Sequence, residues 1–263
     1  MVEIELDIKK SVEENAGDYY NKAKKAKKKL QGIKKIIKEA EQKLEQIKQQ
    51  KTKLLEEFQK QKPAKKPKKQ WYEKFRWFIS SSGFLCIGGK DATSNDIIIK
   101  KHMAKNDIVF HTEISGSPFF LIKTNGAEPK ESDIEETATA TACYSRAWKN
   151  HISSLNVFYV KPEQVSKTAQ AGEYLSKGSF MIRGKKSFIN VKLILGIGIT
   201  NENKIMAGAE SVMKAHCKKY VLIQPGTDKK TDIAKKIKKL IGGELDDIVS
   251  AMPAGEVHLI NRK

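Results

Sequence analysis

From Tyr19 to Phe58 the chain carries an unbroken seam: Tyr19, Ala23, Ala26, Leu30, Ile33, Ile37, Ala40, Leu44, Ile47, Lys51, Leu54 and Phe58 step by four and three, and only Lys51 is polar. That period lines one side of a helix with apolar side chains, as in a coiled coil. Ser11 with Glu14 makes a capping box ahead of it, and Pro63 and Pro67 in QKPAKKPKKQ stop it. The spacing therefore predicts a helix of about 50 residues and about 75 Å. VEIEL before it alternates like a short strand. An apolar stripe this long needs a partner helix, and in isolation a second copy, giving a homodimer, is expected to supply it.

Charge narrows the class of partner. The 263 residues carry a net charge of +19, far more than solubility requires, and such a field attracts polyanions, above all nucleic acid. Residues 1–70 hold 21 lysines and no arginine against 11 acidic residues, so the surplus covers the rod and the rest of the chain alike. With 39% hydrophobic and 31% charged residues, more than one domain is expected but each core is modest. Cys86, Cys143 and Cys217 offer neither a disulfide framework nor a zinc knuckle, which favours a reducing cytoplasm. No apolar run reaches the length of a membrane span, and MVEIELD lacks the basic-then-apolar start of a signal sequence. No membrane partner is expected.

After the prolines the pattern changes to short elements, expected to form an α+β fold. RWFIS and FLCIGG read as strands joined around Ser81, Ser82 and Gly83. A helix from Asp91 or Ser94 carries Ile97, Ile98 and Met103, and DIVFH returns as a strand. SGSP turns into FFLIK. Ser132 and Glu135 form a second capping box for a helix running through Ala138, Ala142 and Trp148, with NVFYV following. The last 75 residues read as a small α/β unit, whether packed beside the centre or standing alone. VKLILGIGIT and IMAG form a hairpin around NENK, KYVLIQPG is a strand ending in a Pro-Gly turn, and TDIAKKIKKLIGG is a helix closed by Gly242-Gly243.

WYEKFRWFISSSGFLCIGGKD, residues 71–91, interleaves rings with cations before a Gly-Gly turn. Trp71, Tyr72, Phe75, Trp77 and Phe78 are the commoner stuff of a core, yet beside Lys74 and Arg76 they also suit stacking on unpaired bases. Strand alternation puts Phe75 and Trp77 on one face and Arg76 and Phe78 on the other. The cationic face is expected to turn to RNA and Trp77 to enter the core.

These words, followed by DIVFHTEISGSP, SRAW and KPEQVSKTAQAGEYLSKGSFMIRGKKSF, resemble the RNA-binding domain of the NFACT proteins, translation factors of ribosome-associated quality control. The resemblance runs from about Trp71 to Phe188 and extends upstream, where IELDIKKSVEENAGDYYNKAKKAKKKL is similar to the tip and descending helix of that family's coiled-coil arm. VLIQPGTDKK and MPAGEVHLI resemble the carboxy-terminal extension of archaeal members. The organisation expected is an arm at 1–62, a basic linker at 63–70, the RNA-binding domain at 71–188 and the extension at 189–263. In the family the arm's partner helix comes from an earlier, antiparallel part of the same chain, so this sequence is expected to be a cut-down or split member lacking the amino-terminal half. The lysines from Lys22 to Lys29 suit a solvated helix face or ribosomal RNA.

Catalytic candidates are thin. His111 and Glu113 share a strand face but no third metal ligand can be named, so a hydrogen-bonded histidine is the simpler reading. Asp91 with Asn95 reads as a helix cap. Ser179 in KGSFMIRG is not a nucleophile elbow, and GIG at 196–198 lacks the spacing of a dinucleotide site. No enzyme activity, metal or cofactor is expected. The better site is distributed: Lys74, Arg76, Lys90, Lys100, Lys101, Lys167, Arg183, Lys185 and Lys186 lie in or beside the family-like words, RGKK placing three cations around Gly184, while Gln164 and Ser166 suit sugar and phosphate.

The resemblance implies that the chain holds the large ribosomal subunit with its stalled peptidyl-tRNA, through rRNA and tRNA, so that tRNA is recruited and the nascent chain gains a carboxy-terminal tail. The alternatives are a coiled-coil adaptor for protein or DNA, and an RNA-processing enzyme built on His111, Glu113 and Asp91.

Overall fold

The structure is a computed structural model that describes residues 4–60, 70–167 and 176–260, with the backbone alone for 52–60. The chain divides into two compact units, Met1–Lys68 and Lys69–Lys263.

The first unit is dominated by α1, Val12–Lys60. It starts as its sequence dictates: the Ser11 amide donates to Glu14 Oε2 at 2.8 Å while the Glu14 amide donates to Ser11 Oγ at 3.2 Å. Asn15, almost fully buried, takes the Asp7 amide at 2.9 Å and donates back to the carbonyls of Asp7 and Ser11. Together with Tyr19, whose hydroxyl donates to the Glu5 carbonyl, it ties the incoming segment to the first turns. Ile4–Leu6 is irregular rather than a strand, since the described residues offer it no neighbouring strand to pair with. Along the seam Leu30, Ile33, Ile37, Leu44 and Ile47 are exposed. The side chains of Leu54 and Phe58, and the prolines and linker at 63–69, lie outside the described residues.

The second unit is built on a six-stranded antiparallel sheet whose strands are β1 (Arg76–Ile79), β2 (Leu85–Gly88), β3 (Ile108–Thr112), β4 (Phe120–Lys123), β5 (Ser154–Val160) and β8 (Ser187–Lys192), ordered β1-β2-β4-β3-β5-β8. Period-two alternation sorts its side chains. Cys86, Phe110, Phe120, Ile122 and Val157 face one core; Ile87, Val109, Leu121, Phe158 and Val160 face another. Both faces are thus covered. Against the second core lie α2 (Ala92–Ile97) and the π-helical turn Ile98–His102 that continues it. Near them β6 (Val165–Ser166) and β7 (Met181–Ile182) pair as a small ribbon.

The first core is shared with the carboxy-terminal elements, so the last 75 residues pack beside the centre. A four-stranded sheet, ordered β10-β9-β11-β12, is made of β9 (Leu195–Thr200), β10 (Ile205–Gly208), β11 (Cys217–Asp228) and β12 (Val257–Ile260). Its Leu195, Ile197, Met206 and Val257 join Phe78, Phe110 and Trp148 in one buried cluster. Between the sheets runs α3 (Glu131–Cys143), buried along Thr137, Ala138, Ala140, Thr141 and Ala142.

Several local expectations need correcting. The second capping box is not Ser132–Glu135: the helix starts two residues earlier, with Lys130 at the N-cap and its amide donating to Asp133 Oδ2 at 2.8 Å. It also stops at Tyr144, and Ser145 caps a separate turn, α4 (Arg146–Lys149), by accepting from the Ala147 amide. VKLILGIGIT is two strands in different sheets, parted at Leu193-Ile194. β11 continues through Pro225-Gly226 with a register shift between Pro225 and Asp228. The NENK hairpin forms as expected, and α6 (Lys230–Ile241) ends at Gly242 and Gly243, at φ 83° and 86°. Not foreseen were α5 (Glu210–His216) and α7 (Leu245–Ala251).

Candidate nucleic-acid interface

At one end of the six-stranded sheet, where β2 and β3 finish and β1 and β4 begin, lies a solvent-open cavity of about 680 Å³. The Gly88-Gly89 pair makes it possible. A Cβ on Gly88 would stand 2.2 Å from the Phe120 ring, and one on Gly89 would stand 1.8 Å from Asn95 Oδ1. Only bare backbone lets the Phe120 ring of β4 and Asn95 of α2 approach this closely. Asn95 is buried and accepts the Phe119 amide at 3.1 Å, and Asp91 caps α2 through the Ser94 amide at 2.7 Å. The cap reading of Asp91 holds; the Asn95 side chain turns inward instead and pins the cavity floor. Opposite, the Ile114 amide donates to Thr112 Oγ1 and Ser117 Oγ donates to the Ile114 carbonyl, shaping the turn 112–117.

Cations and rings line this cavity together: Arg76, Lys90, Lys177 and Lys186 with His111, Phe119, Phe158 and Phe180. His111 stacks on Phe119 with centroids 4.2 Å apart, and burial pushes its imidazole down to about 4. It is therefore neutral at physiological pH, an aromatic wall and not a charge. Glu113 faces Lys186 at 3.4 Å rather than His111. Among the described residues no cluster of three His, Cys, Asp or Glu could hold a metal ion.

The nine cations proposed from sequence fall into four groups. Arg76, Lys90 and Lys186 line the cavity. Lys100 and Lys167 both pair with Asp96, each at 2.6 Å, and Asp96 also accepts the Gly178 amide at 3.2 Å. Those two lysines, with the Gly178 amide, hold the Asp96 carboxyl well below the usual carboxylate range. Lys74 and Lys101 sit near His102, whose imidazole is lowered by burial and then by Lys74, Lys123 and Lys101. There Trp71 stacks on His102 at 4.4 Å and remains exposed. Arg183 and Lys185 are exposed on the RGKK turn, beside the cavity-lining Ile182 and Lys186.

Gln164 shapes that turn. Its Nε2 donates to the carbonyls of Arg183 and Lys185, both at 2.9 Å, and the Arg183 amide donates to the Gln164 carbonyl. The side chain expected to meet sugar or phosphate is thus committed to the fold. The face assignment in β1 needs the larger correction. Arg76 and Phe78 do share a face, but Phe78 is buried in the core between the two sheets. The Arg76 guanidinium lies over the Tyr144 ring at 3.8 Å. Trp77 is half-buried, tilted against Tyr72 at 5.1 Å. Alternation located the partners correctly but assumed a solvent face that this doubly covered strand lacks.

Sequence reasoning did not single out Lys177, Phe180 or Tyr144. The first two belong to LSKGSFM, where a cation and a ring flank Gly178 at φ 78°; that pattern could have flagged them. Nothing around Tyr144 in the sequence could.

No helix among the described residues is long and apolar enough to cross a membrane. Residues 74–184 match the family model of the NFACT protein RNA binding domain, and residues 1–66 match that of the NFACT N-terminal and middle domains. The chain is 40% identical over 201 residues to the archaeal Rqc2 homolog aRqcH of Methanocaldococcus jannaschii, covering 74% of this chain and 30% of that protein. It is 40% identical over 181 residues to the ribosome quality control complex subunit NEMF of Homo sapiens, 66% of this chain and 16% of that protein. The NEMF homolog of Drosophila melanogaster is 38% identical over 203 residues, 74% of this chain and 20% of that protein. The chain thus spans less than a third of the length of these relatives. By its two matching regions and these identities, the chain belongs to the NFACT family.

Proposed function

We propose that this chain is an RNA-binding module of ribosome quality control, one that holds the large ribosomal subunit with its stalled peptidyl-tRNA and helps recruit tRNA for carboxy-terminal tailing. The observation that carries the reading is the gathering of Arg76, Lys90, Lys177 and Lys186 with the rings of His111, Phe119, Tyr144, Phe158 and Phe180 at one end of the sheet, in a chain of net charge +19. Cations neutralise phosphate while rings accept unpaired bases, which is the chemistry of looped or single-stranded RNA. The ribosome supplies peptidyl transfer, so the module acts by binding and carries no catalytic step of its own. A cytoplasmic setting accords with the free thiols of Cys86, Cys143 and Cys217. The partner for the α1 seam, in the chain alone, is a second copy.

The test is a salt titration with tRNA and large-subunit rRNA fragments. Affinity should fall linearly in log-log form with a slope reporting several released counterions. Charge reversal of Arg183, Lys185 and Lys186 to Glu should weaken every RNA about equally and flatten that slope. Binding that is indifferent to salt would favour a protein partner and defeat the proposal.

A further inference from the structure

The cavity holds more specific chemistry than a basic surface needs. Its volume of about 680 Å³ is in the ordinary range for a small-molecule site. The rim and the wall differ in character. Lys90 and Lys177 are exposed at the α2 side and the Lys177 turn, with Lys186 across from them. The Lys186–Glu113 pair is long and exposed, and such a pair yields readily to a stronger anion. Inside, Phe119 meets Phe180 edge-on at 5.4 Å, and His111 lies 5.9 Å from Phe158. These rings make an apolar wall with a neutral imidazole in it. Arg76 also lines the cavity, but its guanidinium is already engaged on the Tyr144 ring at 3.8 Å. A ligand that brings an anion to the rim and a flat ring to the wall would satisfy both features.

We propose that the cavity seats one phosphorylated nucleoside, carried as an unpaired residue of an RNA chain, with its phosphate at Lys90, Lys177 and Lys186 and its base against Phe158, Phe180 and His111. The inference rests on the RNA-binding reading above and sharpens it: the module would distinguish RNA with a bulged or looped-out nucleotide from a continuous duplex. A duplex offers phosphates to the rim but keeps its bases stacked away from the wall.

The experiment compares a fully paired RNA hairpin with the same hairpin carrying a single-nucleotide bulge, bound to the full chain. The bulged hairpin should bind about five- to a hundred-fold tighter, the worth of one stacked base. Ser115→Trp puts a neutral plug at an exposed position on the cavity rim, and should abolish the preference while leaving affinity for the paired hairpin unchanged. Lys101→Glu, away from the cavity, should weaken both hairpins equally. Equal binding of the two hairpins by the unmodified chain, or a preference that survives the plug in a folded variant, overturns the cavity proposal and leaves general RNA binding standing. Failure to bind either hairpin at low salt overturns the RNA-binding reading itself. Should Ser115→Trp not fold, adenosine 5′-monophosphate titrated by NMR into the unmodified chain gives the second readout. It should shift the Phe158 and Phe180 ring resonances and be displaced by the bulged hairpin. Absence of those shifts overturns the site, and shifts that the hairpin cannot reverse overturn its assignment to RNA.

Discussion

The guanidinium of Arg76 lies 3.8 Å from the centre of the Tyr144 ring. Because the Tyr144 hydroxyl in turn donates to the Ala251 carbonyl at 2.6 Å, this stack couples the first strand of the RNA-binding sheet to the end of α7. Burial raises the Tyr144 phenol to about 12, so it remains a donor across the physiological range. Arg76 therefore has two roles that pull apart experimentally. Arg76→Ala should cost about 2 kcal/mol of stability, the worth of a desolvated cation–π contact. It should appear as a lower urea midpoint at unchanged slope. Full stability in Arg76→Ala would mean the stack is idle and the side chain is held only for RNA.

His111 gives a pH signature whose sign is fixed by its environment. Its folded-state value of about 4 lies below the ordinary 6.5, so the unfolded chain binds the proton first. Stability should be fully present above pH 6.5 and decline as pH falls towards 4, with about 2 kcal/mol lost between pH 6.5 and 5 from this residue. His111→Phe keeps a ring on Phe119 and should flatten that window. Denaturant melts of both proteins at these pH values decide it, and identical pH profiles would mean that the imidazole is hydrated and not walled in.

What could be read before the structure depended on whether the determinant was local. The α1 start, the Asp91 cap, the NENK hairpin and the Gly242 stop are set by residues within a turn of one another, and all four were legible. The role of Arg76 was not. Strand alternation says which residues share a face, but whether that face meets water depends on the distant β10 and α5 packed against it. The same holds for Gln164, which reads as a free amide until the RGKK carbonyls fold back onto it. At the candidate site the cations were legible as composition, while their division among the cavity, Asp96 and His102 was created by tertiary contacts.

Asp96 restrains two of the cations assigned to RNA. With Lys100 and Lys167 both at 2.6 Å, Asp96→Asn removes a negative charge and releases both ammonium groups. RNA affinity at low salt should rise several-fold and the salt slope should steepen. The carboxyl is held below its ordinary value, so its contribution to stability is present above pH about 4 and lost as pH falls further. Asp96→Asn should accordingly be less stable at neutral pH and show a flatter acid limb. Weaker RNA binding by a folded Asp96→Asn would show that the paired arrangement, and not the free charge, is what RNA meets.

The α1 seam makes the last prediction, and salt separates it from the others. Leu30, Ile33, Ile37, Leu44 and Ile47 are all about half exposed or more, and a helix with such a stripe draws its stability from packing rather than propensity. Two copies can bury the stripe, yet residues 1–70 carry ten more lysines than acids, so paired rods repel. Antiparallel pairing is the favoured register, because it sets the block from Lys22 to Lys29 against the half containing Glu39, Glu41 and Glu45. Added salt screens the remaining repulsion. Self-association should therefore strengthen as salt rises, opposite to RNA binding. Sedimentation should show a dimer, and Ile33→Asp with Ile37→Asp should abolish it by placing unpaired carboxylates in the seam, with a loss of helix signal in circular dichroism. A chain that stays monomeric and fully helical at high micromolar concentration and high salt would refute pairing through this stripe.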